Sequence, residues 1–365
     1  MKLVTILGAR PQFIKAAALS RAIKENNAQG RDAIREVIVH TGQHFDQNMS
    51  EVFFSDLGIP APDYNLEIAG LSHGAMTGRM LEQVETVLMN EKPDAVVVYG
   101  DTNSTLAGSL AAAKLHIPVA HVEAGLRSFN MRMPEEVNRI LSDRISSLLF
   151  CPTEEAIINL SNEGVTKGVH LAGDVMLDIT LHYAEKATSQ FSLSQWGLEE
   201  GRYILCTIHR AENTDDINRL RSILAALKEI SNEVKIVLPL HPRTKQLIHK
   251  QQMQAMLDGF MVLDPLPYLP MLRLQRSAKA ILTDSGGMQK EAFFHQVPCI
   301  TLRDESEWLE TVALGWNRIA GADSNVILEL YRKLQPGKQV TAAENPYGDG
   351  KAAQKILEIL KQEYL

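Results

Sequence analysis

The sequence predicts an α/β protein made of two doubly wound, Rossmann-like domains that face a cleft. Short apolar runs rich in β-branched residues alternate with helical patterns from the first residues, and the same alternation starts again near residue 200. The strand-like runs lack polar alternation, which is typical of a parallel sheet covered on both faces. The chain has 365 residues, which is too long for one ordinary domain and sufficient for two.

The first half of the chain predicts a complete sheet with covering helices. Predicted strands are 3–7, 37–41, 95–99, 119–122 and 148–151. Predicted helices are 13–24, 46–57, 73–90, 104–115 and 135–147. We assign residues 1–170 to an N-terminal Rossmann-like domain.

The second half repeats the pattern. Predicted strands are 203–208, 235–240, 280–283 and 299–302, and predicted helices are 215–231, 287–294 and 305–314. The Pro- and Gly-rich stretch 335–350 predicts a loop, and 351–363 predicts a final amphipathic helix. We assign 171–346 to a C-terminal Rossmann-like domain and 347–365 to a terminal segment.

Composition excludes several functional classes. The net charge of −7 disfavours nucleic-acid binding, which needs clustered Lys and Arg. No apolar stretch approaches the roughly 18 residues of a membrane span, and the first apolar run is too short for a signal peptide. Cys151, Cys206 and Cys299 are an odd, widely spaced set, which indicates a reducing cytoplasm and buried thiols. No His and Cys spacing predicts a metal site, and we expect no cofactor.

The first candidate ligand site follows the first strand. Gly8-Ala9-Arg10-Pro11 leads into a helix, so its backbone N–H groups and the helix N-terminus favour an anion. Arg10 and Lys15 add positive charge for a phosphate. The turn is neither Gly-x-Gly-x-x-Gly nor a Walker loop, and an ordinary strand–helix turn remains an alternative.

Carboxylates follow the next two central strands. Asp101 comes after the strand 95–99 and Glu123 directly after 119–122, while Glu135 and Glu136 begin a helix. If those strands are neighbours, Asp101 and Glu123 emerge at one edge of the sheet. Carboxylates held close together provide an acid and a base near neutral pH. For Glu136 we favour a structural role at the helix N-terminus.

The second domain carries polar motifs at its strand ends. His209 and Arg210 follow one strand, with Asn213 close behind, and His241 and Arg243 follow the next. The run Ser285-Gly286-Gly287 leads into a helix that contains Glu291. Such a helix start favours a diphosphate, and the Glu291 carboxylate is placed for ribose hydroxyls. This domain is therefore the predicted nucleotide-diphosphate site.

These motifs together resemble the non-hydrolysing UDP-N-acetylglucosamine 2-epimerases, in order and along nearly the whole chain. The matching motifs are Gly8-Ala9-Arg10-Pro11-Gln12, Gly100-Asp101-Thr102, His121-Val122-Glu123-Ala124-Gly125-Leu126-Arg127, Pro134-Glu135-Glu136-Val137-Asn138-Arg139, His209-Arg210-Ala211-Glu212-Asn213, Asp284-Ser285-Gly286-Gly287 and Asn345-Pro346-Tyr347-Gly348-Asp349-Gly350. The resemblance implies the glycosyltransferase-B architecture, with the last helix crossing back to the first domain. It also implies a cytoplasmic homodimer that supplies surface-polysaccharide synthesis.

The family's chemistry implies roles for the motif residues. The family eliminates UDP from a UDP-2-acetamido sugar, holds the glycal, and adds UDP back with carbon 2 inverted. The resemblance implies acid–base or catalytic roles for Asp101, Glu123, Glu135 and His209. Arg10, Ser285, Gly286, Gly287 and Glu291 match the family's UDP-binding positions, and we add Lys15, His241 and Arg243 to the predicted UDP site. Gln43 and His44 match a region where some bacterial members bind a second, activating UDP-sugar, and we add Arg127, Arg132, Arg210 and Asn213 as candidates for this sugar or activator region.

Two segments depart from the better-known UDP-N-acetylglucosamine members. One reads Arg303-Asp304-Glu305-Ser306-Glu307-Trp308-Leu309-Glu310, and the other is the stretch 127–133. Both resemble relatives that epimerise UDP-2,3-diacetamido-2,3-dideoxyglucuronate. A sugar with a C6 carboxylate favours an extra cation, for which Arg127 and Arg132 are candidates. The reaction type is unaffected, but the sugar stays open between these two substrates.

Other functions share parts of this pattern. A glycosyltransferase of the same architecture would use the same UDP site, although it does not require three carboxylates around C2. A hydrolysing epimerase would differ in admitting water to the intermediate. A UDP-sugar sensor would bind the ligand without turnover.

Overall fold

The computed structural model describes residues 1–30, 32–43, 58, 60–341 and 344–365. These residues divide into two compact units, 1–179 with 341–365 and 180–340. The division falls inside a helix, after the position near residue 170 that the sequence predicts. Each unit contains one fully parallel sheet flanked by helices. The α/β fold class with two Rossmann-like sheets is therefore confirmed.

The first unit is built on a seven-stranded sheet of order β3-β2-β1-β4-β5-β6-β7. The strands are β1 (Lys2–Leu7), β2 (Arg35–His40), β3 (Tyr64–Asn65), β4 (Ala95–Tyr99), β5 (Val119–Val122), β6 (Leu148–Cys151) and β7 (Val169–Leu171). The helices are α1 (Arg10–Ala28), α2 (His73–Glu91), α3 (Asn103–Lys114), α4 (Pro134–Ile145), α5 (Glu154–Asn162) and α6 (Val175–Gln190), which continues into the second unit. The predicted helix 46–57 lies outside the described residues.

The second unit has a six-stranded sheet of order β10-β9-β8-β11-β12-β13. The strands are β8 (Tyr203–Thr207), β9 (Lys235–Pro239), β10 (Met261–Leu263), β11 (Ala280–Thr283), β12 (Cys299–Thr301) and β13 (Asn317–Ile319). The α-helices are α7 (Ala211–Thr214), α8 (Ile217–Ile230), α9 (Pro242–Lys250), α10 (Tyr268–Ser277), α11 (Gly286–Phe294), α12 (Leu309–Ala313) and α13 (Ser324–Arg332). Short 3₁₀ turns lie at Leu193–Trp196 and Gln254–Leu257.

The predicted helix 305–314 is wrong over its first part, because α12 begins only at Leu309. The buried guanidinium of Arg303 collects the preceding acids. It lies 3.0 Å from Glu307, 3.3 Å from Glu212 and 3.7 Å from Glu305. Burial alone would lower the pKa of Arg303, but these carboxylates outweigh it and raise that pKa. The segment before Leu309 is thus bonded to Arg303 rather than forming the first turn of α12.

The chain ends in α14 (Ala352–Tyr364), which packs against α1 inside the first unit. The buried carboxylate of Asp178 accepts hydrogen bonds from the backbone N–H groups of Ala352 (3.0 Å) and Ala353 (2.8 Å). Burial raises the pKa of Asp178 to about 6, against the opposing effect of these two bonds. The orphan amides at the start of α14 are thus satisfied by a residue of α6.

Each unit has a hydrophobic core between its sheet and the helices that cover it. Buried side chains of β1, β2 and β4 pack with α2 and α3 in the first unit, and those of β8, β9 and β11 pack with α8 in the second. Cys151, Cys206 and Cys299 are buried free thiols. Among the described residues, no helix combines the length and apolarity needed to cross a membrane.

Candidate active site

The strand order places one ligand-binding edge in each sheet. Connections reverse direction between β1 and β4 in the first unit and between β8 and β11 in the second. In doubly wound folds, ligands bind beyond the carboxyl ends of the strands at such a switch point. The predicted residues that follow β1, β4, β5, β8 and β11 therefore lie at the expected edges of their own sheets.

Lys15 and Glu123 form a close pair at the edge of the first sheet. The Lys15 Nζ lies 2.6 Å from Glu123 Oε1, and about a tenth of each side chain is exposed. Gly100 lies beside them with φ 61°, and a Cβ there would come 3.2 Å from Lys15 Nζ. Lys15, predicted to bind phosphate, thus contacts a candidate catalytic carboxylate directly.

Glu123 occupies an unusual backbone conformation. Its φ of 71° lies in the left-handed region, which costs a non-glycine residue on the order of 1 kcal/mol. The N–H groups of Glu123 and Ala124 both donate to the Phe150 carbonyl at 3.1 Å, and this holds the turn in place. Strained backbone of this kind persists where the surrounding structure fixes it, often at functional sites.

A buried network lies behind this turn. His121 Nε2 lies 2.7 Å from the Gly100 carbonyl, and its Nδ1 lies 2.7 Å from Asp143 Oδ1. Asp143 Oδ2 accepts from Gly125 N at 3.1 Å and from Arg127 Nη1 at 2.7 Å. His121 of β5 is therefore bonded both to the end of β4 and to Asp143 of α4.

Arg127 is withdrawn from any ligand by this network. Its side chain is 1% exposed and pairs with Asp143 and, through Nε, with Glu163 at 2.6 Å. Burial alone would lower its pKa, but the two carboxylates raise it instead. Of the two arginines predicted for a sugar carboxylate, only Arg132 is exposed.

Asp101 lies at the same edge as Glu123. β4 and β5 are neighbours, with Tyr99 opposite Val122, so the condition set by the sequence prediction is met. Asp101 pairs with Arg139 of α4, and 30% of its side chain is exposed. Glu135 is half-buried in the first turn of the same helix.

The turn after β1 differs from the predicted phosphate loop. The N–H groups of Gly8 and Ala9 donate to Gln12 Oε1 at 2.8 and 3.0 Å, so they already have an acceptor. The Gln12 amide donates to the Tyr99 carbonyl at 2.8 Å, which ties the β1 turn to the end of β4. Gln12 was missed as a site residue, although an amide side chain three residues into a helix signals a capping role. Arg10 is half-buried at the start of α1.

Gln43 lies near the same edge, after β2. Its Oε1 accepts from the Ser104 hydroxyl at 2.9 Å and from Ser104 N at 3.2 Å, at the start of α3. His44, the other predicted residue of this activator region, lies outside the described residues.

Asp284 organises the edge of the second sheet. Its fully buried carboxylate accepts from the N–H groups of His209 and Arg210 at 3.0 Å and from the Asn213 amide at 3.2 Å. The His209 ring is 40% exposed, with Nδ1 3.4 Å from Asp284 Oδ1. Asn213 is fully buried and supports this turn. In the sequence Asp284 stands out only as part of a motif, because the three donors that it accepts from come together only in the folded chain.

The start of α11 is suited to an anion. Ser285 is its N-cap residue but makes no side-chain capping bond to the helix. First-turn amides with no capping side chain, together with the helix dipole, favour phosphate. Glu291, one turn on, is buried and accepts from Gln275 Nε2 at 2.7 Å. Gly286 lies close to Trp308 and Glu307, while Gly287 is exposed.

His241 and Arg243 have surface roles. His241 is the N-cap residue of α9, where its Nδ1 accepts from Arg243 N at 3.3 Å. Arg243 forms an exposed ion pair with Asp215. Neither contact requires a ligand. Within the described residues, no group of three or more His, Cys, Asp or Glu side chains is arranged to hold a metal.

Comparison with known proteins decides the family. The family model described as UDP-N-acetylglucosamine 2-epimerase matches residues 26–361. The chain belongs to the UDP-N-acetylglucosamine 2-epimerase family. The sequence-based assignment to these epimerases is therefore confirmed, and with it the enzyme class, isomerase.

The chain is also similar to individual members of this family over nearly its full length. The chain is 53% identical, over 99% of both chains, to the UDP-2,3-diacetamido-2,3-dideoxy-D-glucuronate 2-epimerase of Pseudomonas aeruginosa. It is 42% identical to the UDP-N-acetylglucosamine 2-epimerase of Methanocaldococcus jannaschii over 99% of both chains. The crystal structure of that enzyme with UDP-GlcNAc and UDP matches with a TM-score of 0.89, covering 99% of this chain and all of the other. The Neisseria meningitidis enzyme bound to UDP-GlcNAc matches with a TM-score of 0.87 at 31% identity, covering 99% of this chain and all of the other.

Proposed function

We propose that this protein inverts carbon 2 of a UDP-linked 2-acetamido sugar by eliminating UDP and adding it back. The observation that supports the proposal is the presence of two carboxylates, Asp101 and Glu123, at the edge of the first sheet, each paired with a cation. The family membership supports the same reaction.

The chemistry needs both proton transfer and charge stabilisation. As the C1–O bond breaks, its electron pair leaves with UDP, and the positive character at C1 acidifies the C2 hydrogen. A base removes that proton to give the glycal. Protonation of C2 on the other face, with return of UDP to C1, gives the epimer. We propose Asp101, Glu123 and Glu135 for these proton transfers and His209 for the diphosphate.

We propose that the second unit binds UDP. The start of α11, at Ser285, Gly286 and Gly287, offers amides and a helix dipole to the diphosphate. The Glu291 carboxylate is placed one turn further for the ribose. We also propose Arg10 of the first unit as a diphosphate contact.

For the sugar, we propose 2,3-diacetamido-2,3-dideoxyglucuronate. The 53% identity to the Pseudomonas aeruginosa enzyme favours it over N-acetylglucosamine. Arg132 is exposed in the β5–α4 connection, at the carboxyl edge of the first sheet, where a guanidinium suits a C6 carboxylate. UDP-N-acetylglucosamine is the second candidate, on the strength of the Methanocaldococcus jannaschii relative.

A proton NMR time course in D₂O tests the reaction. Each UDP-sugar is incubated separately, and two changes are followed: growth of the signals of the C2 epimer, and loss of the C2 proton signal as deuterium replaces it. We expect both changes with the diacetamido-glucuronate substrate. Turnover of UDP-N-acetylglucosamine alone would reverse the substrate proposal. UDP binding without turnover of either sugar would support a transferase or a sensor instead.

Replacing Glu291 by Gln is expected to weaken UDP binding about 10-fold or more. A carboxylate accepts stronger hydrogen bonds from ribose hydroxyls than an amide does, and the loss of one charged bond is worth about 1.5–3 kcal/mol. Isothermal calorimetry with UDP measures the effect. Glu233→Gln, an exposed glutamate of the same unit, serves as the control. Equal affinity in the Glu291 variant would remove this residue from the nucleotide site.

We further propose a homodimer acting in the cytoplasm to supply surface-polysaccharide synthesis. The support is the family resemblance, together with the buried free thiols of Cys151, Cys206 and Cys299, which fit a reducing compartment. We propose no cofactor.

A further inference from the structure

Arg139 lies between several carboxylates of the first unit. Its Nη2 pairs with Asp101 Oδ2, and its Nη1 donates to Glu136 Oε2 at 3.0 Å. The Arg139 side chain is 9% exposed, so water screens these pairs little. Burial alone would lower its pKa, but Asp101, Glu136 and Glu123 raise it. Arg139 is therefore a fixed cation that cannot itself exchange a proton during the reaction.

Glu136 extends this contact to a neighbouring turn. Its carboxylate, 1% exposed, accepts from Ser128 N (3.0 Å), the Ser128 hydroxyl (3.0 Å) and Phe129 N (2.8 Å). The sequence predicts a structural role for Glu136 at the N-terminus of its own helix. The carboxylate instead anchors the segment 128–130, which we call the β5–α4 turn.

The β5–α4 turn is held in a conformation that it would not adopt alone. Phe129 has φ 57° and is 77% exposed, and Met131 beyond it is 62% exposed. Neither side chain contributes to a core that would fix the backbone. The bonds to Glu136 restrain this strained segment at the carboxyl edge of the sheet, together with the bonds from Asn130 N to the Ser128 hydroxyl (3.3 Å) and from Met133 N to the Asn130 carbonyl (2.9 Å).

Asp101 is held from the same helix at two points. Asn138 of α4 donates to the Asp101 backbone carbonyl at 3.0 Å and to Asn103 Oδ1 at 3.2 Å. Arg139 pairs with Oδ2 of the Asp101 carboxylate, and 30% of the Asp101 side chain is exposed. The side chain is therefore held by a cation and still open to solvent at the edge of the sheet.

We propose that Arg139 is a positioning residue, which orients the Asp101 carboxylate and couples it through Glu136 to the β5–α4 turn. The proposal rests on the proposed epimerase function. A planar guanidinium can hold two carboxylates at defined angles, whereas a lysine ammonium is a flexible point charge. Small displacements of a reacting group cost large factors in rate, so the orientation set by Arg139 affects turnover.

The test compares Arg139→Lys and Glu136→Gln with Arg144→Lys. Arg144 is exposed on the same helix and donates to a backbone carbonyl. Arg144→Lys therefore controls for the effect of an Arg-to-Lys substitution on this helix. We expect Arg139→Lys to lower kcat about 10- to 100-fold with KM and UDP affinity within about twofold. Its pH profile of kcat should change shape. Glu136→Gln should show a smaller loss of kcat, and Arg144→Lys none.

Two readouts separate positioning from stability alone. If Arg139→Lys loses activity only in proportion to its folded fraction, with kcat per folded molecule and the pH profile unchanged, the proposal is overturned. Crystal structures of the variants supply a readout that does not depend on activity. Asp101 should turn away from its wild-type orientation in Arg139→Lys, and an unmoved Asp101 contradicts the proposal. If the wild type does not epimerise either sugar, the proposed function fails, whereas the Asp101 orientation still decides the positioning role.

Discussion

Replacing Glu123 by Gln is expected to lower kcat by about 10²-fold or more, which is the usual effect of removing a general acid or base. The amide has the same shape as the carboxylate but cannot accept the proton in the reaction. It also cannot form an ion pair with Lys15, now 2.6 Å from Oε1. We expect UDP affinity to stay near the wild-type value, because the proposed UDP site lies mainly in the second unit. Steady-state kinetics on the preferred substrate, with calorimetry for UDP, measure both.

Glu67→Gln is a matched control for that variant. Glu67 is also a glutamate of the first unit with a left-handed backbone, at φ 53°, but it is exposed on the loop after β3 and is not one of the residues proposed for the reaction. Its kcat should equal that of the wild type. If Glu123→Gln also turns over at the wild-type rate, its proposed role in proton transfer is wrong.

The central strands were predictable because they are fully buried. For Ala95–Tyr99, Val119–Val122 and Leu148–Cys151 the predicted bounds agree with the structure, since a continuous apolar run ends where polar residues emerge at the sheet edge. Short edge strands were missed. Tyr64–Asn65 and Val169–Leu171 are partly exposed and carry no continuous apolar signal.

Strand ends also located the candidate site. Asp101 and Glu123 could be placed at one edge from the sequence because parallel strands share a direction, and the pairing of β4 with β5 brings them there. Their partners could not be predicted. Whether a Lys or Arg meets a carboxylate or a phosphate depends on tertiary packing, which paired Lys15 with Glu123 and buried Arg127 with Asp143.

The second large expected effect is a loss of stability when the buried network behind the Glu123 turn is broken. Asp143→Asn is expected to lower the free energy of unfolding by about 3–5 kcal/mol, because it removes the more deeply buried of the two carboxylates, Asp143 and Glu163, that pair with the buried Arg127. Asp143 is 1% exposed and accepts from His121, Gly125 and Arg127. The amide keeps one acceptor oxygen for Gly125 and Arg127, but it carries no charge to balance the buried Arg127 guanidinium. Urea denaturation of the wild type and the variant measures the difference.

The pH dependence of the free energy of unfolding provides a second check on the Asp143→Asn prediction. Burial alone would raise the pKa of Asp143, but His121 and Arg127 outweigh it and hold that pKa below the ordinary value of 3.8. A depressed pKa contributes stability above pH 3.8, and this contribution is lost as the pH falls through the folded-state value. The variant should therefore differ most from the wild type near neutral pH, and the difference should shrink in acid.

Asp32→Asn, at an exposed aspartate of the same unit, should leave stability within about 0.5 kcal/mol of the wild type. A loss below about 1 kcal/mol for Asp143→Asn would mean that Glu163 alone compensates the buried Arg127 charge. The expected loss of about 3–5 kcal/mol in the free energy of unfolding would instead show that the Arg127–Asp143–His121 network stabilises the Glu123 turn. A strained catalytic backbone needs such a rigid support, because the two bonds to the Phe150 carbonyl hold Glu123 at φ 71° from the β6 side only, whereas the buried network holds the turn from α4.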